Sequence, residues 1–172
     1  AIIEGFEQVR AATDVAQVPA IIRAFGLTHE MVPSHFLGKA EVWDALLDKM
    51  PMHALVRNLG RMTANGLITE SSDAAKRVVK QLSNYDAIKK SRLHPLALLI
   101  ALRTYAGGHG FRGGNTWNPI PDVIDALDQS FYLAFDNVEA TGKRWYLGLD
   151  LSASMTWDEH KTLGGLLTAR EA

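Results

Sequence analysis

Apolar residues recur at threes and fours along most of the chain, and that period changes only near the end. Residues 2–12 carry Ile2, Ile3, Phe6 and Val9 at helical spacing. Thr13-Asp14 restarts the chain, with Gln17 three residues after Asp14 in a capping-box arrangement, and Val15, Val18, Ile22 and Phe25 share a face until Gly26. Pro19 falls late for that cap, so this helix bends or begins later. Thr28 reads as the next cap, before a short helix shaped by Pro33, and Phe36-Leu37-Gly38 is a break. Over residues 39–50, Val42, Trp43, Leu46, Leu47 and Met50 point inward and Glu41, Asp44 and Asp48 outward. Pro51 opens a helix with Met52, Leu55, Val56, Leu59 and Met62 on one face, stopped by Asn65-Gly66. Ser71-Ser72 caps a helix burying Ala75, Val78, Val79 and Leu82, and Asn84 caps a short one through Lys90. Pro95 begins a helix, from Leu96 to about Tyr105, that is apolar nearly all round and is expected to be the most buried element. Gly107-Gly108 ends it, residues 109–119 read as loop, and Pro121 opens a last long helix with Ile124, Leu127, Phe131 and Phe135 on one face.

The change of period comes at Trp145, Tyr146, Leu147, Leu149 and Leu151, a short apolar and aromatic run that suits a buried strand. It ends in Asp150-x-Ser152-x-Ser154. One carboxylate and two hydroxyls spaced by two bring three hard oxygens together if the loop curls, which is the donor type Mg²⁺ takes alongside waters. The other reading is that Asp150 caps the strand end while the serines make ordinary loop hydrogen bonds. The pattern resembles the metal-ion-dependent adhesion site of von Willebrand factor A domains. That resemblance implies a metal role for Asp150, Ser152 and Ser154, with the serines as direct ligands and the aspartate acting through water.

A succession of helices joined by short turns, followed by one strand, predicts a mainly α chain built as a hairpin stack or solenoid. At 172 residues and 47% hydrophobic it is long enough to bury a core. Both ends read as cut from something longer. No apolar run reaches membrane-spanning length, and the absence of cysteine excludes disulfides and thiolate metal sites, in keeping with a cytoplasmic protein.

Charge sharpens the picture. The net charge of −1 hides a segment from Arg57 to Arg112 with ten Lys or Arg against three acids, a net of +7, while the remainder carries −8. Such a segment can set up a local positive field, or it can be a set of solvated helix faces.

Several motifs lead nowhere. Gly108-His109-Gly110-Phe111-Arg112-Gly113 spells the dinucleotide fingerprint, but it follows a helix and enters a Trp-Asn-Pro loop instead of joining a strand to a helix. No P-loop and no nucleophile elbow is present, so hydrolase chemistry finds no support and no catalytic residue is assigned. The six histidines lack metal-ligand spacing. His94 before Pro95 reads as a cap or packed turn residue, whereas His109 and Arg112 sit in a glycine-rich loop that either suits phosphate or base contacts or serves only to stop the helix before it.

The ordered set Met50-Pro51, residues 54–65 (Ala54-Leu55-Val56-Arg57-Asn58-Leu59-Gly60-Arg61-Met62-Thr63-Ala64-Asn65), Arg92-Leu93-His94-Pro95, Thr104-Tyr105, residues 108–113, Thr141-Gly142-Lys143-Arg144 and residues 150–155 resembles the Ro autoantigen, or TROVE-domain, family. The resemblance implies a HEAT-like α-helical ring over residues 1–140, of which this would be the C-terminal part. Residues 141–172 would then be the first strand and metal loop of a truncated α/β von Willebrand factor A domain. It implies binding of small noncoding Y RNAs and of the single-stranded ends of misfolded RNAs, in a ribonucleoprotein, with an RNA-processing nuclease as a further partner. The RNA-binding residues expected on this basis are Arg61, Lys89, Lys90, Arg92, His94, His109 and Arg112, and the expected cofactor is Mg²⁺. The rival expectation is a metal-dependent protein-interaction module that grips a partner carboxylate through Mg²⁺ at Asp150, Ser152 and Ser154.

Overall fold

The computed structural model describes residues 1–110, 114–148, 150 and 152–156. Among them are eight α-helices, linked by turns and short 3₁₀ segments: α1 Ile2–Ala11, α2 Val18–Phe25, α3 Ala40–Leu47, α4 Met52–Ala64, α5 Asp73–Leu82, α6 Tyr85–Ser91, α7 Pro95–Ala106 and α8 Pro121–Leu133. Each of α1, α2 and α3 packs on the next, α4 touches α3, α5, α6 and α7, and α8 lies against α5, α6 and α7. The mainly helical class is therefore observed. No strand forms among the described residues. At Trp145, Tyr146 and Leu147, where a buried strand is expected, the side chains are exposed, Tyr146 completely so. A strand needs a neighbour for its N–H and C=O groups, and none of the described residues supplies one.

The caps follow the local chemistry. Asp14 accepts the N–H of Ala16 and closes a 3₁₀ turn, so α2 begins later, at Val18, with Pro19 in its first turn, where a missing N–H costs nothing. Gly26 ends α2 at φ 65°, a left-handed conformation that glycine adopts without penalty. Ser72 and Asn84 cap α5 and α6 through Ala75 and Ala87. Thr28 makes no side-chain cap, and its carbonyl instead closes a 3₁₀ turn on Met31.

One expectation about burial is corrected. Helix α3 buries Val42, Trp43, Ala45, Leu46 and Leu47 out of eight residues, whereas α7 buries only Pro95, Leu98 and Tyr105. An all-round apolar sequence is buried only as far as neighbours surround it, and α7 is covered chiefly by α8, leaving Ala97, Ile100 and Ala101 on an open groove. At the other end, Ile2, Ile3 and Phe6 face outward. Helix α1 is anchored through Val9 and through Gly5, where a Cβ would lie 2.4 Å from Phe25.

The outward carboxylates of α3 have work to do in the fold. Asp44 and Asp48 are each held by two arginines, Arg23 of α2 at 2.8 and 3.1 Å and Arg77 of α5, whose Nη1 lies 2.7 Å from Asp48 and whose Nη2 pairs with Asp44. The four side chains are 36–47% exposed, so water screens them and the whole closed network contributes about 1 kcal/mol. The double change Asp44→Asn and Asp48→Asn is expected to lower the melting temperature by roughly 2–4 °C at low ionic strength. The loss should disappear near 1 M salt, and a loss that persisted there would assign the stabilisation to packing instead of charge.

Candidate nucleic-acid interface

Helix α4 carries His53, Arg57 and Arg61 at intervals of four, which places them along one ridge at about 6 Å steps. None of them is needed for the core, because Leu55, Leu59 and Met62 turn the opposite way. The ridge borders a groove of about 660 Å³ between α4 and α7. Ala97, Ala101 and Gly60 are small enough to leave it open, and Trp117 lines it from the loop after α7. Among the described residues no carboxylate lines this groove. A second hollow of about 580 Å³ shares His53, Arg57 and Asn58 with it and adds Lys49, with Glu30 as the single acid among the described residues. The positive field along α4 is therefore little offset by neighbouring carboxylates.

The groove's walls are fixed by hydrogen bonds. The Trp117 indole N–H donates to the Tyr105 carbonyl at 2.9 Å, and its backbone N–H donates to the Gly108 carbonyl at 2.9 Å. Its ring fills the space a side chain at Gly60 would take, 2.4 Å from an ideal Cβ there. Gly108 sits at φ 71° with the Trp117 carbonyl 2.9 Å from its missing Cβ, so this turn requires glycine twice over. Thr63 Oγ1 donates to the Leu59 carbonyl at 3.0 Å, so in the 3.1 Å contact between the hydroxyls Tyr105 is the donor. Tyr105 Oη also accepts the Ile120 N–H at 3.3 Å, and burial pushes its phenol above the ordinary range. The Arg61 guanidinium lies over the Trp43 ring, 5.7 Å from its centroid, while Trp43 itself donates to the Leu37 carbonyl at 2.8 Å. His53 places a ring nitrogen 2.9 Å from the Ser91 carbonyl, and since a carbonyl only accepts, that nitrogen carries the proton.

The seven residues expected to contact RNA are not gathered in one place. Arg61 lines the groove. Lys89 and Lys90 sit in the last turn of α6, where Lys89 Nζ donates to the Asp136 carbonyl at 2.5 Å. Arg92 closes α6 in a left-handed conformation, φ 55°. His94 is a cap, its Nδ1 accepting the Leu96 N–H at 3.1 Å. His109 pairs by its backbone with Thr116, and Arg112 lies outside the described residues. The residues that sequence reading passed over are Arg57, His53 and Trp117. Their signal was available for the first two, since 53, 57 and 61 share one helical ridge, but Trp117 joins them only through the loop fold.

The Asp150 turn does curl. Asp150 Oδ1 accepts the Ser152 N–H at 2.9 Å, and the hydroxyls of Ser152 and Ser154 are 2.9 Å apart. Three hard oxygens thus lie within one exposed turn, a donor set that fits part of a Mg²⁺ shell. No group of three or more His, Cys, Asp or Glu placed to hold a metal occurs among the described residues. The Ser152 N–H, and then its hydroxyl, hold the Asp150 carboxyl below the usual range. This turn is therefore expected to be intact above the ordinary aspartate pKa and to open only as pH falls through the lowered value. A carboxyl-carbon NMR titration should show a midpoint for Asp150 below that of an exposed aspartate, and a midpoint at or above it would contradict the turn.

Comparison with known proteins bears on both regions. Residues 25–104 match the TROVE domain family. The chain is 37% identical over 172 residues to the "RNA-binding protein RO60" of Caenorhabditis elegans, covering 99% of this chain and 26% of that protein. It is 39% identical over 166 residues to the protein of the same name from Deinococcus radiodurans, covering 96% and 31%. The crystal structure of the Deinococcus radiodurans RO (RSR) protein superposes with a TM-score of 0.73 at 38% identity, over 80% of this chain and 28% of the other. The chain thus spans between a quarter and a third of the length of the curated relatives it matches.

Proposed function

The chain belongs to the TROVE-domain family, and from that premise we propose that it binds RNA, laying a single-stranded stretch along the α4 ridge and the groove beside α7. The observation that carries this reading is a groove flanked by Arg57 and Arg61, lined by an indole and free of carboxylates among the described residues. Phosphate neutralisation supplies most of the affinity of such a surface, through release of counterions from the RNA. Aromatic and apolar walls favour unpaired nucleotides, because a base buried inside a duplex has no free face to offer. The substrate class in this reading is small noncoding RNA of the Y type and misfolded RNA with single-stranded ends. The helices act as a section of a HEAT-like ring, with a domain boundary near residue 140, where the chain leaves the helical body. No step of bond breaking is required. Asp150, Ser152 and Ser154 would supply three oxygens to a Mg²⁺ ion, a role separate from the groove.

Photo-crosslinking tests the location. A tailed RNA containing 4-thiouridine, bound and irradiated, is expected to attach to peptides of α4 and of the segment that follows α7. Adducts confined to residues 89–94 would move the interface to the end of α6 and overturn the groove.

A further inference from the structure

We propose that the pocket between Gly60, Trp117 and α7 is a subsite for one unstacked nucleobase, separate from the phosphate contacts made by Arg57 and Arg61. The proposal rests on the RNA reading above and adds to it which part of the nucleotide each wall takes. Its volume, about 660 Å³, lies within the roughly 300–1,000 Å³ usual for small-ligand sites, so a nucleotide can enter without rearrangement. Three features select a planar, anionic and aromatic ligand. The floor is made by Ala97 and Ala101, which offer flat apolar contact and no hydrogen-bonding group. The wall is Trp117, a half-buried indole whose N–H is committed to the Tyr105 carbonyl and whose ring packs on Gly60 and stacks with Tyr105 at 6.1 Å between centroids, so what it offers a ligand is the rest of its apolar surface. Among the described residues the rim carries two guanidiniums and no carboxylate, which disfavours a cationic ligand and suits a phosphate next to the base.

Gly60 is what makes the wall possible. Every other residue at this position would place its Cβ inside the Trp117 ring, so the helix gives up a better helix former to let the indole lie flat against α4. Asn58 adds a point of selection at the mouth. Its amide nitrogen donates to the Ala54 carbonyl at 2.8 Å, which leaves the amide oxygen as an acceptor for an exocyclic amine. A base stacked on Trp117 with its amine toward Asn58 would be held on one face and one edge, with the sugar and phosphate outside near the arginines. Stacking of this kind tolerates any sequence, and the acceptor at Asn58 biases it toward bases that carry an amino group.

The experiment compares two hairpin RNAs with tails of equal length, one of ordinary adenosines and one of abasic residues, so that the phosphates match and only the bases differ. Affinity of the 172-residue chain is measured by fluorescence anisotropy at several salt concentrations. The subsite predicts binding about 5- to 150-fold weaker for the abasic tail with the same salt slope, this being the usual range for stacking one base on an aromatic side chain. In Trp117→Leu the difference should shrink to about twofold or less, and in Trp117→Phe, which keeps a smaller ring and guards against a folding defect, it should be intermediate. Equal affinity for the two tails, or a base effect unchanged in both variants, would overturn the subsite and leave the RNA reading standing. Absence of salt-dependent binding to either tail would overturn the RNA reading and the subsite with it. Displacement of the tail by polyglutamate as effectively as by adenosine RNA would identify an acidic-peptide groove, and would likewise overturn the proposal.

Discussion

Replacing Arg57 and Arg61 together by glutamine is expected to weaken binding of a single-stranded RNA tail about 25-fold at 0.1 M salt, with the loss vanishing toward 1 M. The figure follows from counterion release. Each neutralised phosphate of a single strand contributes roughly −0.7 to the slope of log affinity against log salt, so two lost contacts remove roughly 1.4. Glutamine keeps much of each side chain's length and polarity, so the change reports charge. The fold should tolerate it, since among the described residues neither arginine forms an ion pair, Arg57 being exposed and Arg61 resting on the Trp43 ring. Anisotropy titrations of the wild-type and double-variant chains over a tenfold range of salt would measure both quantities. An unchanged slope would mean that these arginines do not touch phosphate.

Trp43→Ala should cause the largest loss of stability of any single change considered. The side chain is wholly buried in α3, beside Leu46 and Leu47, and its indole N–H is bonded to the Leu37 carbonyl. Removing it costs about 3–5 kcal/mol through lost transfer energy and the cavity left behind. The Leu37 carbonyl keeps a second donor, the Asn65 amide at 3.1 Å, so the cost comes mainly from packing and not from an orphaned acceptor. For a chain of this size such a loss corresponds to a melting temperature lower by roughly 6–20 °C. The same substitution removes the surface under Arg61, so any folded Trp43→Ala protein should also bind RNA more weakly than its folded fraction alone predicts. Urea unfolding followed by circular dichroism measures the first effect, and a stability change below about 1 kcal/mol would contradict the packing described for α3.

The helices were readable because their signals are local. Ser72, Asn84 and Pro95 begin helices, and Gly26 and Gly66 end them, through bonds to residues no more than a few positions away. Burial was less readable because it depends on neighbours distant in the chain. Nothing within residues 95–106 reveals that Ala97 and Ala101 face a groove while Leu98 is fully buried. The charge count of +7 from Arg57 to Arg112 overstated the field in the same way, since Arg77 is spent on Asp44 and Asp48, which lie outside that segment. The candidate site was half legible. The repeat of His53, Arg57 and Arg61 is written in the sequence of α4, but the indole that completes it arrives from a loop more than fifty positions later, held there by a glycine whose neighbour is unknowable until the chain is folded. Asp150, Ser152 and Ser154 are linked by ordinary loop hydrogen bonds, one of the two readings their spacing left open, and Trp145, Tyr146 and Leu147 before them stay exposed.

The central claim is that the helical stack takes unpaired RNA on the α4 ridge by charge. Its most direct test is a titration of the chain with two hairpins, one blunt and one bearing a single-stranded tail, from 50 to about 500 mM salt. The account predicts tighter binding of the tailed hairpin, with an affinity that falls by roughly −0.7 per contacted phosphate on a log–log plot. Equal affinities for the two hairpins, or an affinity for the tail that does not change with salt, would contradict it.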